Sequence, residues 1–234
     1  MSEQAVFAVI LAILIAALAA ATVQSGRLLR QITPAHNLLL SLPDNAVRLV
    51  LIAFCVALGV LLGPGVDALG WSMTGFVRAS LLGALVGLLL APLFLWFSAW
   101  AVRRWGNGVY DNRLLRAIVP VDCGEWVWVA LALFPAALLE ELLFRSLPLA
   151  GFAHVISPWV LMWPLALFFG LLHWPQGPLG VVGTSFMAVA LSAIFLWSGS
   201  LWTAVFAHWV LNLVEVTLAW RQGLRPLRAD SPSV

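Results

Sequence analysis

The sequence contains no lysine and few charged residues of any kind. Charged residues make up 9% of its 234 residues and hydrophobic residues 63%, with a mean hydropathy of +1.02. An average soluble domain is about 25% charged, and no polar stretch here is long enough to form a soluble domain of its own. The composition therefore excludes an ordinary soluble protein and predicts an all-α, polytopic transmembrane helix bundle.

Other scarce features exclude further classes of protein. The twelve cations are all arginine and the net charge is +2, and no basic run is long enough to indicate nucleic-acid binding. The two cysteines, Cys55 and Cys123, have neither a redox nor a metal-binding spacing. Arginine without lysine indicates a GC-rich genome. We predict an integral protein of the cytoplasmic membrane of a prokaryote, in contact with its lipid.

About seven apolar segments are long enough to span a membrane, which takes about 20 mostly apolar residues each. The first follows Glu3 and no cation, which is wrong for a signal peptide, so we predict that it is retained. Segment 25–45, with Pro34 and Pro43, is predicted to be a loop with an interfacial amphipathic piece. The predicted spans are 5–22, 48–65, 79–102, 126–151, 158–174, 179–198 and 201–220.

Arginines are concentrated in alternate connections, which predicts the orientation of the chain. They lie between spans one and two, between spans three and four, and after span seven. Short arginine-rich loops stay on the cytoplasmic side, so we predict a cytoplasmic C-terminus and an external N-terminus. The chain divides into N-terminal helices without an assigned role (1–120), a core that holds the polar residues described next (121–222) and a cytoplasmic tail (223–234).

Three ionisable residues stand together in the apolar segment LLEELLFR, residues 138–145. A charge within a span costs about 2.5–3.5 kcal/mol and persists where it pairs or performs chemistry. Glu141 and Arg145 are four residues apart on one helix face, so they are predicted to pair. Glu140 lies about 100° round the helix from Glu141 and has no partner nearby in the sequence. A carboxylate without a partner suits a general acid or base.

Two histidines and an asparagine lie in the same half of the chain. His173 is near the end of span five, and His208 and Asn212 are four residues apart in span seven. With a rise of about 1.5 Å per residue, these three side chains and Glu140 fall at overlapping depths. They are therefore predicted to converge on one intramembrane pocket.

The residue types fit more than one chemistry. A carboxylate and an imidazole can hold and deprotonate a water, while a second imidazole and an amide stabilise an oxyanion. Glu140, His173 and His208 would also suit a catalytic zinc ion, although the HExxH spacing is absent, so no cofactor is assigned and zinc stays open. Ser185 and Ser192 have no GxSxG or Ser–Lys context and are interpreted as packing residues.

The polar residues form three short motifs, EExxxR, FxxxH and HxxxN, in that order. They consist of Glu140, Glu141, Arg145, Phe169, His173, His208 and Asn212. This order resembles the CPBP family, the CAAX-protease and bacteriocin-processing intramembrane proteins, over about residues 125–220. Each motif alone is weak, whereas three in order on apolar helices are specific.

The resemblance implies a glutamate-dependent intramembrane endopeptidase that acts on a membrane-associated protein or peptide. The implied roles are water activation by Glu140 and His173, an oxyanion hole of His208 and Asn212, and structural support by Glu141, Arg145 and Phe169. Two other functions stay open: a non-proteolytic immunity or scaffold protein, and a proton-coupled transporter with Glu and His as its relay. Transporters often show inverted repeats, whereas these polar groups lie in one half of the chain.

Overall fold

The computed structural model describes residues 2–228, which form helices and connecting loops without any β-strand. The all-α prediction is therefore confirmed for this part of the chain. The fifth α-helix continues without a break into a π-helix over Leu142–Ala150. The α-helices are α1 (Glu3–Gln31), α2 (Leu42–Leu62), α3 (Phe76–Trp105), α4 (Arg113–Ile118), α5 (Cys123–Glu141), α6 (Pro158–Leu172), α7 (Gly177–Ser198) and α8 (Leu201–Arg221).

Six of the helical segments within residues 2–228 are long and apolar enough to cross a membrane. They comprise α1, α2, α3, the joined α5 and π-helix, α7 and α8. The seventh predicted span, α6, has 15 residues and is about 22 Å long, shorter than the roughly 30 Å hydrocarbon core. A polytopic bundle of about seven spans is compatible with this arrangement, and its orientation stays a prediction.

The loop predicted at 25–45 is shorter than expected. Helix α1 continues to Gln31 and α2 already begins at Leu42, so only residues 32–41 connect them. The prediction was wrong because Pro43 was interpreted as a loop residue. Ser41 caps α2 and Pro43 lies in its first turn, where a residue without a backbone N–H is tolerated.

Small residues let the central helices pack closely. Gly83 and Gly87 of α3 face the backbone of α8, where a Cβ on either would collide with a carbonyl of Thr203 or Ala207. Transmembrane helices often associate through small residues spaced in this way. In the most apolar window of each span, the buried share rises from 11% in α1 to 50% in the α5–π segment. The α5–π segment is therefore central and α1 peripheral.

The π-helix is buried and fastens the connection between α2 and α3. Its residues from Leu142 to Leu149 are all buried. The hydroxyl of Ser146 donates to the carbonyl of Leu69 at 2.8 Å and accepts from the indole Nε1 of Trp71 at 2.7 Å. π-Helices are rare and are frequently found at functional sites, and this one begins directly after the two adjacent carboxylates.

The first residues of the predicted tail fold back onto the bundle. Arg228 Nη2 lies 2.7 Å from Glu125 Oε1 near the start of α5, and the Leu227 amide donates to the Arg116 carbonyl of α4. Residues 229–234 of the predicted tail lie outside the described residues.

Candidate active site

A buried ion pair and a histidine form the centre of the polar cluster. Arg145 Nη1 lies 2.8 Å from Glu141 Oε1, as the four-residue spacing predicts, and their side chains are 1% and 0% exposed. His208 of α8 places its Nδ1 2.7 Å from the same carboxylate oxygen. An ionised carboxylate only accepts hydrogen bonds, so this Nδ1 carries a hydrogen. The contact joins α5 to α8 in the core of the bundle.

The rest of the Arg145 guanidinium is also satisfied inside the bundle. Its Nε lies 3.4 Å from Ser192 Oγ and its Nη2 3.3 Å from the Ala188 carbonyl, both on α7. Its Cζ lies 4.9 Å from the centroid of the Phe169 ring on α6. Buried charges persist where they are paired and hydrogen-bonded. Ser192, interpreted from the sequence as a packing residue, is thus one of the hydrogen-bond acceptors of Arg145.

Glu140 occupies a different environment from its neighbour Glu141. Its side chain is 33% exposed, whereas that of Glu141 is 0% exposed. Glu140 Oε2 lies 3.6 Å from His208 Nε2, beyond hydrogen-bonding distance. His208 therefore lies between two carboxylates and forms a hydrogen bond with Glu141 only. Glu140 is left without a hydrogen bond from this imidazole.

His173 follows the last residue of α6 and faces the same space as Glu140. Its Nδ1 lies 2.9 Å from the Phe169 carbonyl oxygen, which can only accept, so Nδ1 carries a hydrogen and Nε2 of the neutral ring is a free acceptor. The Phe169 ring centroid is 4.7 Å from the ring of His173 and 6.4 Å from that of His208. Phe169 therefore contacts both imidazoles as well as the guanidinium of Arg145.

Glu140 and His173 line one cavity of about 650 Å³, within the usual size range of ligand sites. The α5–π segment and α6 form one side of it, and α1 and α2 form the other. Most of its lining is apolar. Its titratable lining residues are Asp44, Arg48, Cys55, Glu140 and His173. The N-terminal helices, which carry no motif, therefore build one wall of this cavity.

Two of the four residues predicted to converge do not line the cavity. His208 is next to Glu140 but outside the cavity lining, and Asn212 is one turn farther along α8, half-buried and also outside the lining. The structure thus brings Glu140, His173 and His208 together and leaves Asn212 at the edge of the group.

The side chains that could hold zinc are not arranged as a metal site. Within residues 2–228, no group of three or more His, Cys, Asp or Glu side chains could hold a metal ion. Each imidazole could bind a metal only through Nε2, because Nδ1 of His208 is engaged by Glu141 and Nδ1 of His173 by the carbonyl of Phe169.

Sequence reasoning missed Arg48 as a residue of the site. The predicted span two began at this residue, and its charge was counted only toward membrane orientation, with the arginines between spans one and two. It lies in the second turn of α2 and lines the cavity together with Glu140. An arginine inside an apolar helix was the available signal.

Part of the chain matches a known family. Residues 122–214 match the family model for type II CAAX prenyl endopeptidase Rce1-like. This stretch runs from the N-cap of α5 into α8, and it contains all three motifs. The match confirms the family resemblance over this stretch and supports a CAAX-type intramembrane protease in general. The comparisons with curated proteins and with solved structures found no match.

Proposed function

We propose that this protein, in which residues 122–214 are similar to type II CAAX prenyl endopeptidases, is an intramembrane endopeptidase. Its substrate is a membrane-associated protein or peptide, of which it hydrolyses a peptide bond with an activated water. The observation that carries the proposal is that a partly exposed carboxylate, Glu140, and an imidazole, His173, line the same cavity among membrane-spanning helices.

Glu140 is the proposed general base. It removes a proton from the water as the water oxygen bonds to the carbonyl carbon of the substrate. His173 orients this water through Nε2, because its Nδ1 is held by the Phe169 carbonyl. When the C–N bond of the tetrahedral intermediate breaks, Glu140 returns the proton to the leaving nitrogen. The carboxylate is thereby regenerated.

His208 is the proposed donor to the oxyanion. Glu141 holds it through Nδ1, and its Nε2 lies 3.6 Å from Oε2 of Glu140, next to the proposed base. As an imidazolium it carries a second hydrogen, which Nε2 donates to the developing oxyanion. Arg145 and Glu141 are positioning residues in this proposal, since they touch His208 or its partner rather than the cavity.

Replacing His208 and Asn212 separately is expected to separate their roles. His208→Ala should lower kcat by about 10²–10³-fold with little change in KM, because it removes a donor used in the transition state. Asn212→Ala should lower kcat by much less, since Nε2 of His208 lies 3.6 Å from Glu140 whereas Asn212 lies one turn farther along α8. Steady-state kinetics in nanodiscs, with the unfolding temperature of each variant as the folding control, measure both effects. Equal losses would instead favour the shared oxyanion hole that the family resemblance implies.

Terminal-peptide proteomics tests the activity and identifies substrates. Membranes of cells that express the wild type are compared with those that express Glu140→Gln, which removes the base but keeps the shape of the side chain. New protein termini are expected in the wild type and absent with Glu140→Gln. The control is Glu3→Gln, which alters an exposed carboxylate at the start of α1.

Identical termini in all three samples would contradict a protease and favour a non-proteolytic immunity or scaffold protein. A Glu140-dependent ion flux in liposomes, together with identical termini, would favour a proton-coupled transporter.

A further inference from the structure

Arg48 contributes a positively charged side chain to the part of the cavity wall that α2 forms. It lies in the second turn of α2, is half-buried, and lines the same cavity as Glu140 and His173. Among the cavity-lining residues of the described chain, it is the one arginine, and the sequence has no lysine. The positive charge of this otherwise largely apolar wall therefore comes from Arg48.

The hydrogen-bonding capacity of Arg48 is mostly unused. Its Nη1 donates to Asn45 Oδ1, one turn earlier in α2, and Arg48 forms no ion pair within residues 2–228. Arg145 differs, because each of its three guanidinium nitrogens donates a hydrogen bond to α5 or α7 and the guanidinium also contacts the Phe169 ring of α6. Arg48 thus keeps donors free at the cavity.

The size and charge of the cavity indicate which ligands could accept hydrogen bonds from Arg48. A membrane-spanning α-helix is about 30 Å long and 10–12 Å wide with its side chains, so a cavity of about 650 Å³ accommodates only a short segment of a peptide. A planar guanidinium binds a carboxylate through two parallel hydrogen bonds. A peptide segment whose scissile bond lies at Glu140 could therefore place a carboxylate at Arg48.

We propose that Arg48 is a substrate-binding residue that holds a carboxylate of the peptide while Glu140 faces the bond to be cleaved. The proposal rests on the proposed function and adds a specificity for anionic peptide segments. The carboxylate is either the terminal one of the chain or an acidic side chain close to the cleavage site. Arg48 takes no part in proton transfer and acts on binding.

Peptide binding to the Glu140→Gln protein tests this proposal without any need for cleavage. The probes are three fluorescent short apolar peptides in nanodiscs: one with a free C-terminal carboxylate, the same sequence amidated, and the amidated sequence with one internal glutamate. Fluorescence anisotropy is expected to show about tenfold tighter binding of the free acid than of the plain amide, from one charge-assisted interaction. Tight binding of the glutamate peptide as well would show that a side-chain carboxylate can bind in place of the terminal one.

Arg48→Gln in the same background should bind all three peptides as weakly as the plain amide. Arg48→Lys should restore part of the difference, since lysine keeps the charge but loses the bidentate geometry. Arg78→Gln, at an exposed position on α3 outside the cavity lining, should bind like the parent. The proposal is overturned if the parent binds acid and amide equally, or if Arg48→Gln keeps the difference.

Cleavage kinetics distinguish a failure of this proposal from a failure of the proposed function. With an active enzyme, Arg48→Gln should raise KM for an acidic peptide and leave kcat close to the wild-type value. Absence of cleavage by the wild type would contradict the protease, whereas the binding comparison would still decide the role of Arg48.

Discussion

Glu140→Gln is expected to lower kcat by about 10²–10⁴-fold, the usual contribution of a general base. Glutamine has the same shape but cannot take a proton from water. The side chain is 33% exposed and lies beyond hydrogen-bonding distance of His208, so the substitution should hardly change the free energy of unfolding. Thermal unfolding should occur at the wild-type temperature, and KM should change less than kcat.

The measurement is steady-state kinetics on a peptide that carries a cleavage site found by proteomics. Glu3→Gln provides the matched control, with the same chemical change at an exposed position, and should keep wild-type kinetics. A Glu140→Gln protein with wild-type kcat would rule out Glu140 as the base and remove the main support for this mechanism.

Arg145→Met is expected to destabilise the protein by about 3–5 kcal/mol, the cost of removing one member of a buried ion pair. Methionine fills much of the volume, but Glu141 would then keep only His208 as a partner at 0% exposure. Its second oxygen, Oε2, already has no hydrogen-bond partner among residues 2–228. Denaturation of the purified protein with SDS measures the free energy of unfolding.

Two further variants test whether this loss of stability comes from the buried ion pair. Arg104→Met, at an exposed position near the end of α3, should change stability by no more than about 0.5 kcal/mol. The double variant Glu141→Leu/Arg145→Met should be more stable than Arg145→Met alone, because no unpaired carboxylate stays buried. If Arg145→Met were as stable as Arg104→Met, the buried pair would not stabilise the fold.

Local contacts at the site could be predicted from the sequence, whereas contacts between helices could not. Glu141 and Arg145 meet because helix geometry alone brings positions four apart together. Glu141 and His208 are 67 residues apart, and depth estimates leave the rotation of each helix about its axis undetermined. The sequence therefore predicted His208 as a partner of Glu140, while its hydrogen bond in the structure is to Glu141.

The cavity was not predictable for a related reason. Helices α1 and α2 carry no motif and are apolar over most of their length, so the sequence offered Arg48 as the main mark of the face that lines the cavity. The predicted start of span two at residue 48 left Arg48 at the end of a loop, and the helix begins six residues earlier at Leu42. The π-helix after Glu141 likewise has no signal in hydrophobic periodicity, which distinguishes helices from strands but not one helix type from another.

The pairing of Glu141 with Arg145 inside one continuous helical segment also bears on how the chain is assembled during synthesis. The α5–π segment emerges from the ribosome before α8, so His208 is absent when the segment partitions into the bilayer. Three separate charges would each oppose this transfer by about 2.5–3.5 kcal/mol. Because Arg145 reaches Glu141 within the same segment, these two charges enter the bilayer as a neutral ion pair. Glu140 is then the one charge of the three that needs contact with water. Biogenesis can thus proceed helix by helix, and His208 completes the network when α8 is inserted.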